Sequence, residues 1–427
     1  MRSGSEHITL ISAPPSLPTP ERFHALDALR ALAMLLGIYL HGALSFMVGL
    51  PRGVWPVQDI HRHNGFDVMF LYIHTFRMPL FFMLAGFFGR MVYQRIGGKD
   101  FLRQRFVRLG IPLVVGLAVF LPIMHVLYLQ GATLFGPPPR EIVFEGLRMN
   151  HPPTFSNRGP LLLHLWFIYT LLLVCLLATG ARVLAGRVLS SATLGRVDGA
   201  MRWLVGSVWG VPVLALITLP VLSLMHSLTI DTPTTFIPEP RVLLFYGLFF
   251  GFGWLLQRQP ALLSGLERRA GRQVLLVSAL LFPLLLGVAG RWAQTQGQGP
   301  FVLKLLGFSI HSLITWALVL GFTGLALRHL NRPSPVMRYL ADGAYWMYLA
   351  HLPLLAWLQL LFARLDMPAL VKFLIVCHLA VLLLLPAYEY LVRYTIIGRV
   401  LNGPRSRKAK ASQDKGVVHP GSTGATV

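Results

Sequence analysis

The first apolar stretch of the chain is FHALDALRALAMLLGIYLHGALSFMVGL, residues Phe23–Leu50. About 20 apolar residues in a helix cross the ~30 Å hydrocarbon layer of a bilayer, so this stretch predicts a membrane helix. It also carries Asp27, Arg30 and His41. Arg30 and His41 fall on one helix face, ~16 Å apart along the axis. Such a stripe predicts a functional site. The structural alternative is an Asp27–Arg30 ion pair at the membrane boundary and a His41 hydrogen-bonded to a neighbouring helix.

The composition is that of an integral membrane protein. Of the 427 residues, 55% are hydrophobic and 13% are charged, and the mean hydropathy is +0.62. A net charge of +22 would suggest nucleic acid in a soluble protein. Here the basic residues lie in short loops between apolar segments, so we expect the lipid bilayer, and no nucleic acid, as the partner. Cys175 and Cys377 both fall in apolar segments, with no disulfide or metal-ligand spacing.

The fold class predicted is an all-α polytopic membrane protein with about ten transmembrane helices. Asp342, Gly343 and Pro353 interrupt the ninth segment, which predicts a kinked or late-starting helix. The ten segments are Phe23–Leu50, Phe66–Val92, Leu109–Leu129, Leu161–Leu184, Trp203–Met225, Val242–Gln257, Val274–Ala289, Val302–Leu327, Met337–Phe362 and Pro368–Tyr394.

Basic residues indicate the orientation. Most of the 38 Lys and Arg residues lie in the segments on the side of the N-terminus, so both termini are predicted to be cytoplasmic. The domain prediction is a disordered cytoplasmic leader at 1–22, a transmembrane domain at 23–395 and a basic, disordered cytoplasmic tail at 396–427.

The second segment places two more polar groups at membrane depth. His74 and Arg77 are three residues apart in HTFRMPLFFMLAGFFGR, so a helix points both the same way. From the helical rise, His41 lies ~10 Å and His74 ~12 Å below the same membrane surface. The two imidazoles therefore meet at one level if the consecutive helices pack side by side. Four such groups on two adjoining helices indicate a site rather than incidental core polarity.

Later segments add further candidates. His164 and Trp166 open the fourth segment, where an interfacial aromatic belt is the alternative interpretation. His351 lies deeper, one turn from Tyr348 and close to Pro353, which frees backbone carbonyls. His311, His378 and Glu389 are further intramembrane polar groups, of which His378 and Glu389 are interpreted as structural.

A basic pair lies at the opposite boundary. Arg105 and Arg108 are three residues apart before the third segment, so a helix aims both guanidinium groups the same way. Such groups suit phosphates, although a positive anchor at the cytoplasmic boundary is the common alternative. The histidines are dispersed, and no metal site is predicted.

These motifs together resemble the membrane-bound acyltransferase 3 family. Arg30 and His41 match the Arg-x10-His of its first helix, and Arg105 and Arg108 in RFVRLGIPL match its cytoplasmic RxxR. The stretches HTFRMPLFFMLAGFF, HLWFIYTLLL and YLAHLPLL are similar to its branch of periplasmic glucan succinyltransferases. The resemblance covers about residues 23–395, in order, and implies ten helices with both termini inside.

The resemblance implies an O-acyltransferase of the bacterial inner membrane. Acyl-CoA (succinyl-CoA, or alternatively acetyl-CoA) is the implied co-substrate, with no permanently bound cofactor. The implied acceptor is a hydroxyl of a periplasmic glucan or other polysaccharide. His41 is the implied general base or transient acyl carrier, and the oligomeric state is not predicted. The predicted site comprises catalytic His41, Arg30 and His74; substrate-binding Arg77, His164, Trp166, Tyr348 and His351; and coenzyme-binding Arg105 and Arg108.

Other functions remain open from the sequence. A transporter or flippase of a glycan or organic anion needs the same intramembrane charges but no acyl-CoA. An acetyltransferase of the same family acting on a lipid-linked or surface polysaccharide is a further alternative. A carboxylate-binding role for Arg77 favours succinyl over acetyl, because only a succinyl donor carries that charge. A non-catalytic scaffold fits poorly with the four polar groups at membrane depth.

Overall fold

A computed structural model describes residues 23–137, 159–295 and 299–403, together with the backbone of three short strands between 142 and 156. The predicted leader at 1–22 and the tail beyond residue 403 lie outside the described residues. The helices are α1 His24–Ala43, α2 Asn64–Arg105, α3 Ile111–Phe135, α4 Trp166–Val188, α5 Ser191–Gly206, α6 Gly210–Leu222, α7 Pro240–Leu256, α8 Leu263–Glu267, α9 Ala270–Leu276, α10 Phe282–Gln294, α11 Phe301–His329, α12 Pro335–Phe362, α13 Ala369–Ala387 and α14 Ile396–Asn402.

A small sheet lies between α3 and α4. The sheet is a small addition within one connection, and the membrane part is helical, as the all-α prediction expects. Prolines 137–139 follow α3 in the sequence, and proline does not continue a helix. Four short strands pair antiparallel in sequence order. They are β1 Ile142–Phe144, β2 Leu147–Met149, β3 Phe155–Ser156 and β4 Gly159–Pro160.

The chain is a multi-pass membrane protein. Seven helical segments of the described chain are long and apolar enough to cross a membrane, or eight if one bent pair counts as a single crossing. The prediction of about ten is therefore not confirmed. The longest segment, Asn64–Phe135, has 72 residues. At ~1.5 Å per residue it would measure about 108 Å, several bilayer thicknesses. Gly97, at φ 78°, interrupts its helical backbone.

Three predictions about individual segments need correction. The fifth segment, Trp203–Met225, is split between α5 and α6, which meet at 113°. The ninth runs unbroken through Pro353 as α12. Its proline is accommodated because another side chain uses the freed carbonyl, as described below. The predicted tail begins with α14, whose Asn402 side chain donates to the Asp342 carbonyl at 2.8 Å.

Helix α1 packs among α2, α11, α12 and α13. Between α2 and α7 the crossing is close, because Gly86 faces the carbonyl of Phe250 and Gly253 faces that of Met83. Small residues at such crossings let backbones approach, which drives helix association in lipid. We call the two ends of the bundle the His41 end, where α1 ends, and the Arg105 end, where α2 ends.

A buried ion pair holds the loop that joins α1 to α2 at the His41 end. Lys372 on α13 donates to Asp59 at 2.5 Å, and the two side chains are 0% and 2% exposed. Trp55 of the same loop donates to Gln359 on α12 at 2.6 Å. The loop is thereby tied to two helices next to the cavity described below.

Candidate active site

A cavity of about 180 Å³ opens at the His41 end. Helices α1, α2, α3 and α12 and the start of α4 contribute to its wall. A smaller cavity of about 20 Å³ adjoins it and reaches to Met34 and Tyr348. The two cavities share His41, Arg77, Met78, His164 and Trp166. Polar groups from two consecutive helices thus meet at one level.

His41 is paired with a second histidine, His351 on α12. Its Nδ1 lies 2.8 Å from Nε2 of His351. Nδ1 of His351 lies 2.6 Å from the Tyr348 carbonyl, and a carbonyl only accepts, so this nitrogen carries the proton. In the neutral ring His351 Nε2 therefore accepts from His41 Nδ1–H. Nε2 of His41 is left with an unprotonated lone pair at the cavity, the arrangement that a general base requires.

His351 itself is not among the residues that line either cavity. It stands behind His41 and fixes the tautomer of that ring. The structure thus gives His351, which was predicted to bind substrate, a contact with His41 in place of a position in the cavity wall. Sequence spacing could not show this, since the two residues lie 310 positions apart.

His164 lies in the cavity wall rather than in an exposed aromatic belt. It is 5% exposed, and its Nε2 donates to the Leu349 carbonyl at 3.0 Å. Pro353, four residues later, cannot donate to that carbonyl, so the imidazole takes its place. The Tyr348 hydroxyl donates to the backbone carbonyl of His164 at 2.6 Å. Nδ1 of His164 is buried with no partner in the described chain, and it is available to a ligand.

Arg77 brings a buried positive charge to the cavity. The residue is 7% exposed, and none of the ion pairs in the described ranges involves it. Its Nε has no hydrogen-bond partner there. The guanidinium lies over Gly37 of α1, where a side chain would collide with it. An uncompensated charge is costly in a membrane interior, so an anionic ligand is the expected counterpart.

His74 and Trp166 complete the predicted residues of the larger cavity. His74 stacks on Phe70, with ring centroids 5.4 Å apart, and its Nδ1 has no partner among described groups. Trp166 lines both cavities and packs on Tyr246 with ring centroids 5.6 Å apart. An indole in a cavity wall suits contact with a sugar ring.

Arg30 does not join this group. It forms the ion pair with Asp27 at 3.1 Å and lies 5.5 Å from the ring centre of Phe88. Its side chain is 39% exposed, and it lines neither cavity. The structure therefore contains the Asp27–Arg30 ion pair, which was the structural alternative for Arg30. The carboxylate of Asp27 is one turn away, whereas the cavity lies three turns away.

Arg105 and Arg108 lie at the Arg105 end, near each other and near α12. Arg105 lies 4.8 Å from the ring centre of Phe101, and its Nε has no partner among described groups. The hydroxyl of Tyr345 donates to the carbonyl of Arg108 at 2.6 Å. Tyr345 stacks on Tyr348 of the smaller cavity, with ring centroids 6.2 Å apart. An aromatic pair therefore lies between the basic pair and the histidines.

Sequence reasoning missed three contributors to the site. Gly37 lies one turn before His41 and so on the same face, which was a usable signal. Thr232 and Thr234, from the segment between α6 and α7, line the larger cavity. The Thr234 hydroxyl is buried without a partner in the described ranges. Nothing in the local sequence marks these threonines, because only the tertiary fold brings their segment over α1 and α2.

The same segment contains three groups of metal-ligand type. His226, Asp231 and Glu239 have ligand atoms within 4.8 Å of one another. Arg241, however, donates to Asp231 at 2.9 Å and to Glu239, and its Nη2 lies 3.0 Å from His226 Nδ1. The guanidinium occupies the position that a cation would take. We interpret this cluster as a set of structural contacts that hold in place the segment with the two threonines.

Comparison with known proteins gives a family and partial relatives. The family model described as an acyltransferase domain matches residues 23–389. Glucans biosynthesis protein C from Shigella dysenteriae serotype 1 is 30% identical over 160 residues, and the protein of that name from Escherichia coli K12 is 29% identical over 160 residues. Each alignment covers 37% of this chain and 38% of the relative. No solved structure shows a significant match.

Proposed function

Since this chain belongs to the acyltransferase domain family, we propose that it is a membrane O-acyltransferase that transfers an acyl group from acyl-CoA to a hydroxyl of a glycan outside the cytoplasm. The observation that carries the proposal is the His41–His351 pair, which leaves a basic nitrogen at a cavity within the membrane bundle. The family supplies the reaction class, and the cavity supplies a place for it.

The proposed chemistry uses His41 Nε2 as the base. It takes the proton of an acceptor hydroxyl while the hydroxyl oxygen attacks the thioester carbonyl carbon. Collapse of the tetrahedral intermediate breaks the carbon–sulfur bond, and the imidazolium returns its proton to the departing thiolate. His351 accepts from Nδ1–H throughout and so holds the ring in orientation. An acyl group carried briefly on His41 itself is the alternative route, which uses the same nitrogen as nucleophile.

A succinyl donor fits the cavity better than an acetyl donor. Arg77 is a buried cation without an acidic partner among the described residues. The free carboxylate of a succinyl group accepts two parallel hydrogen bonds from a guanidinium. An acetyl group offers no such charge and leaves Arg77 uncompensated. The proposed donor is therefore succinyl-CoA, delivered with its coenzyme phosphates toward Arg105 and Arg108.

The proposed acceptor is a glucan or related glycan. This rests on the name of the relatives, glucans biosynthesis protein C, and those relatives share only part of their length with this chain. The cavity supports it with groups that bind sugars: the Trp166 ring, and polar atoms of His74, His164 and Thr234 that have no partner among the described residues.

The proposed topology has ten crossings, both termini in the cytoplasm, and a bacterial inner-membrane location. Two observations support ten membrane crossings. The 72-residue segment contains the Gly97 interruption, and α7 is apolar but has 17 residues. Counting each part of that segment and α7 as crossings brings the total from eight to ten. Labelling of single cysteines from either membrane side tests this arrangement.

The function is tested with purified protein in liposomes, labelled succinyl-CoA and acetyl-CoA, and a glucan acceptor. We expect wild type to acylate the glucan and His41→Ala to lose this activity. His378→Ala is the matched control, because His378 bonds to Tyr39 and its own helix outside the cavity. Full activity of His41→Ala contradicts the mechanism. No turnover of either donor by wild type contradicts acyl transfer and favours the transporter.

A further inference from the structure

A second, larger groove lies away from the histidines. It has a volume of about 890 Å³ and runs along α7 between α4 and α6, with α5 closing it at the Arg105 end. The bend of 113° between α5 and α6 turns α5 across this end. Apart from a few polar groups at its ends, the groove is lined by aliphatic and aromatic side chains. It shares no lining residue with either histidine cavity.

Helix α7 leaves room in the groove. Gly247 and Gly251 are one turn apart, and a Cβ atom added at either would meet no atom within 4 Å. Leu177, Ile217 and Leu244 on the three surrounding helices each expose more than half of their surface. The groove is thus an open apolar channel rather than a packed interface between helices. In a bilayer, hydrocarbon chains fill such a space.

The Arg105 end of the groove carries excess positive charge. Arg90, Arg182 and Arg258 line it there, and the first repels the other two electrostatically. Among the described residues, the carboxylate that acts on Arg90 is Asp198, and it is bound by Arg258 at 2.6 and 2.7 Å. Arg90 donates to Gln257, a neutral partner. Three guanidinium groups and one carboxylate leave an excess of two positive charges.

We propose that this groove is a binding site for an anionic phospholipid, with its phosphate at Arg90 and Arg182 and an acyl chain along Gly247 and Gly251. Basic pockets between membrane helices recognise anionic head groups in this way, and arginine is suited to phosphate. The coenzyme donors of the proposed reaction also carry phosphates. Succinyl and acetyl groups, however, are too short to fill a long apolar channel, so a lipid complements both parts of the groove.

The test measures lipid retention without any acyl donor, so its outcome is independent of acyl transfer. The protein is exchanged into detergent containing equal amounts of phosphatidylglycerol and phosphatidylcholine, and bound lipids are counted by native mass spectrometry. We expect wild type to retain mainly phosphatidylglycerol. In Arg90→Gln/Arg182→Gln the ratio of retained phosphatidylglycerol to phosphatidylcholine should fall about tenfold.

Arg196→Gln is the matched control, because this exposed arginine on α5 does not line the groove. The single variant Arg182→Gln, at an exposed position, covers the case in which loss of Arg90 impairs folding. Gly251→Leu should reduce retention of both lipids while the melting temperature stays that of wild type, since the Cβ atom meets no neighbour and the rest of the side chain enters the open groove.

Two results overturn the proposal. One is an unchanged lipid ratio in both arginine variants, which would make the groove an unselective part of the lipid boundary. The other is displacement of phosphatidylglycerol by an equimolar amount of coenzyme A, which would assign the arginines to the coenzyme.

Discussion

Replacement of Arg77 by glutamine separates the two proposed donors. The side chain is 7% exposed and has no acidic partner in the described part of the chain, so no protein carboxylate takes over its role. If the guanidinium binds the free carboxylate of a succinyl group, Arg77→Gln removes the charge from that interaction. An acetyl donor never made the interaction and should be transferred much as before.

The expected size of the effect follows from the burial. Truncating one partner of a buried, hydrogen-bonded charge pair costs about 2–5 kcal/mol. With about 3 kcal/mol and a tenfold change per about 1.4 kcal/mol, kcat/KM for succinyl-CoA should fall about a hundredfold. For acetyl-CoA we expect a change within about threefold, because the loss of an uncompensated buried cation has little effect on a neutral acyl group.

The assay compares the two donors in the same liposomes with the same glucan acceptor. Arg77→Lys should fall between wild type and Arg77→Gln, since lysine keeps the charge but lacks the planar fork that matches a carboxylate. Arg364→Gln is the control, because Arg364 donates to the Leu134 carbonyl outside the cavity.

A result with equal losses for both donors refutes the carboxylate role and assigns Arg77 to a step common to both. Unchanged kinetics with both donors refutes any role in the reaction. A melting curve of each variant in detergent shows whether a loss reflects unfolding instead.

Three further predictions follow from contacts near the cavity. Gly37→Ala should push the Arg77 guanidinium aside and so lower the preference for succinyl-CoA over acetyl-CoA. Its unfolding free energy should stay within about 1 kcal/mol of wild type, because alanine favours a helix over glycine. His351→Ala should lower kcat and leave KM nearly unchanged in steady-state assays. The substitution releases the imidazole ring of His41 without removing a group that lines the cavity. Lys372→Met should cost about 3–5 kcal/mol of unfolding free energy in detergent melts, because Asp59 is left buried and unpaired, whereas adding Asp59→Asn should restore most of it.

Contrary outcomes are specific for each variant. An unchanged donor preference in Gly37→Ala would mean that the guanidinium does not act from its present position. A pure KM effect in His351→Ala would return this histidine to substrate binding. A double variant no more stable than Lys372→Met would show that the lysine contributes through packing rather than through charge.

The membrane helices and much of the site were readable from residue patterns. Charged and imidazole groups are costly in lipid, so the presence of His41, His74 and Arg77 in apolar segments indicated a site, and short connections made their two helices neighbours. In the structure all three residues line one cavity. The membership of the acyltransferase family, indicated by the motifs, is confirmed by the match over residues 23–389.

Helical periodicity was less informative about which residues contact each other. It placed Arg30 on the face of His41, but a carboxylate one turn away binds Arg30 outside the cavity. A helical period states which residues share a face, not which neighbour that face meets or where a long side chain bends. The same limit applies to the count of crossings, because the bend after α5 and the Gly97 interruption depend on backbone geometry that hydropathy does not record.

What the linear chain determined, then, is which residues are too polar for lipid and must be buried together. What only the tertiary structure decided is their pairing. His351 fixes His41 from 310 positions away, and His164 uses the carbonyl that Pro353 leaves free. Both contacts depend on the relative placement of distant helices to within a hydrogen-bond length, which arises from packing of the whole bundle rather than from any local pattern.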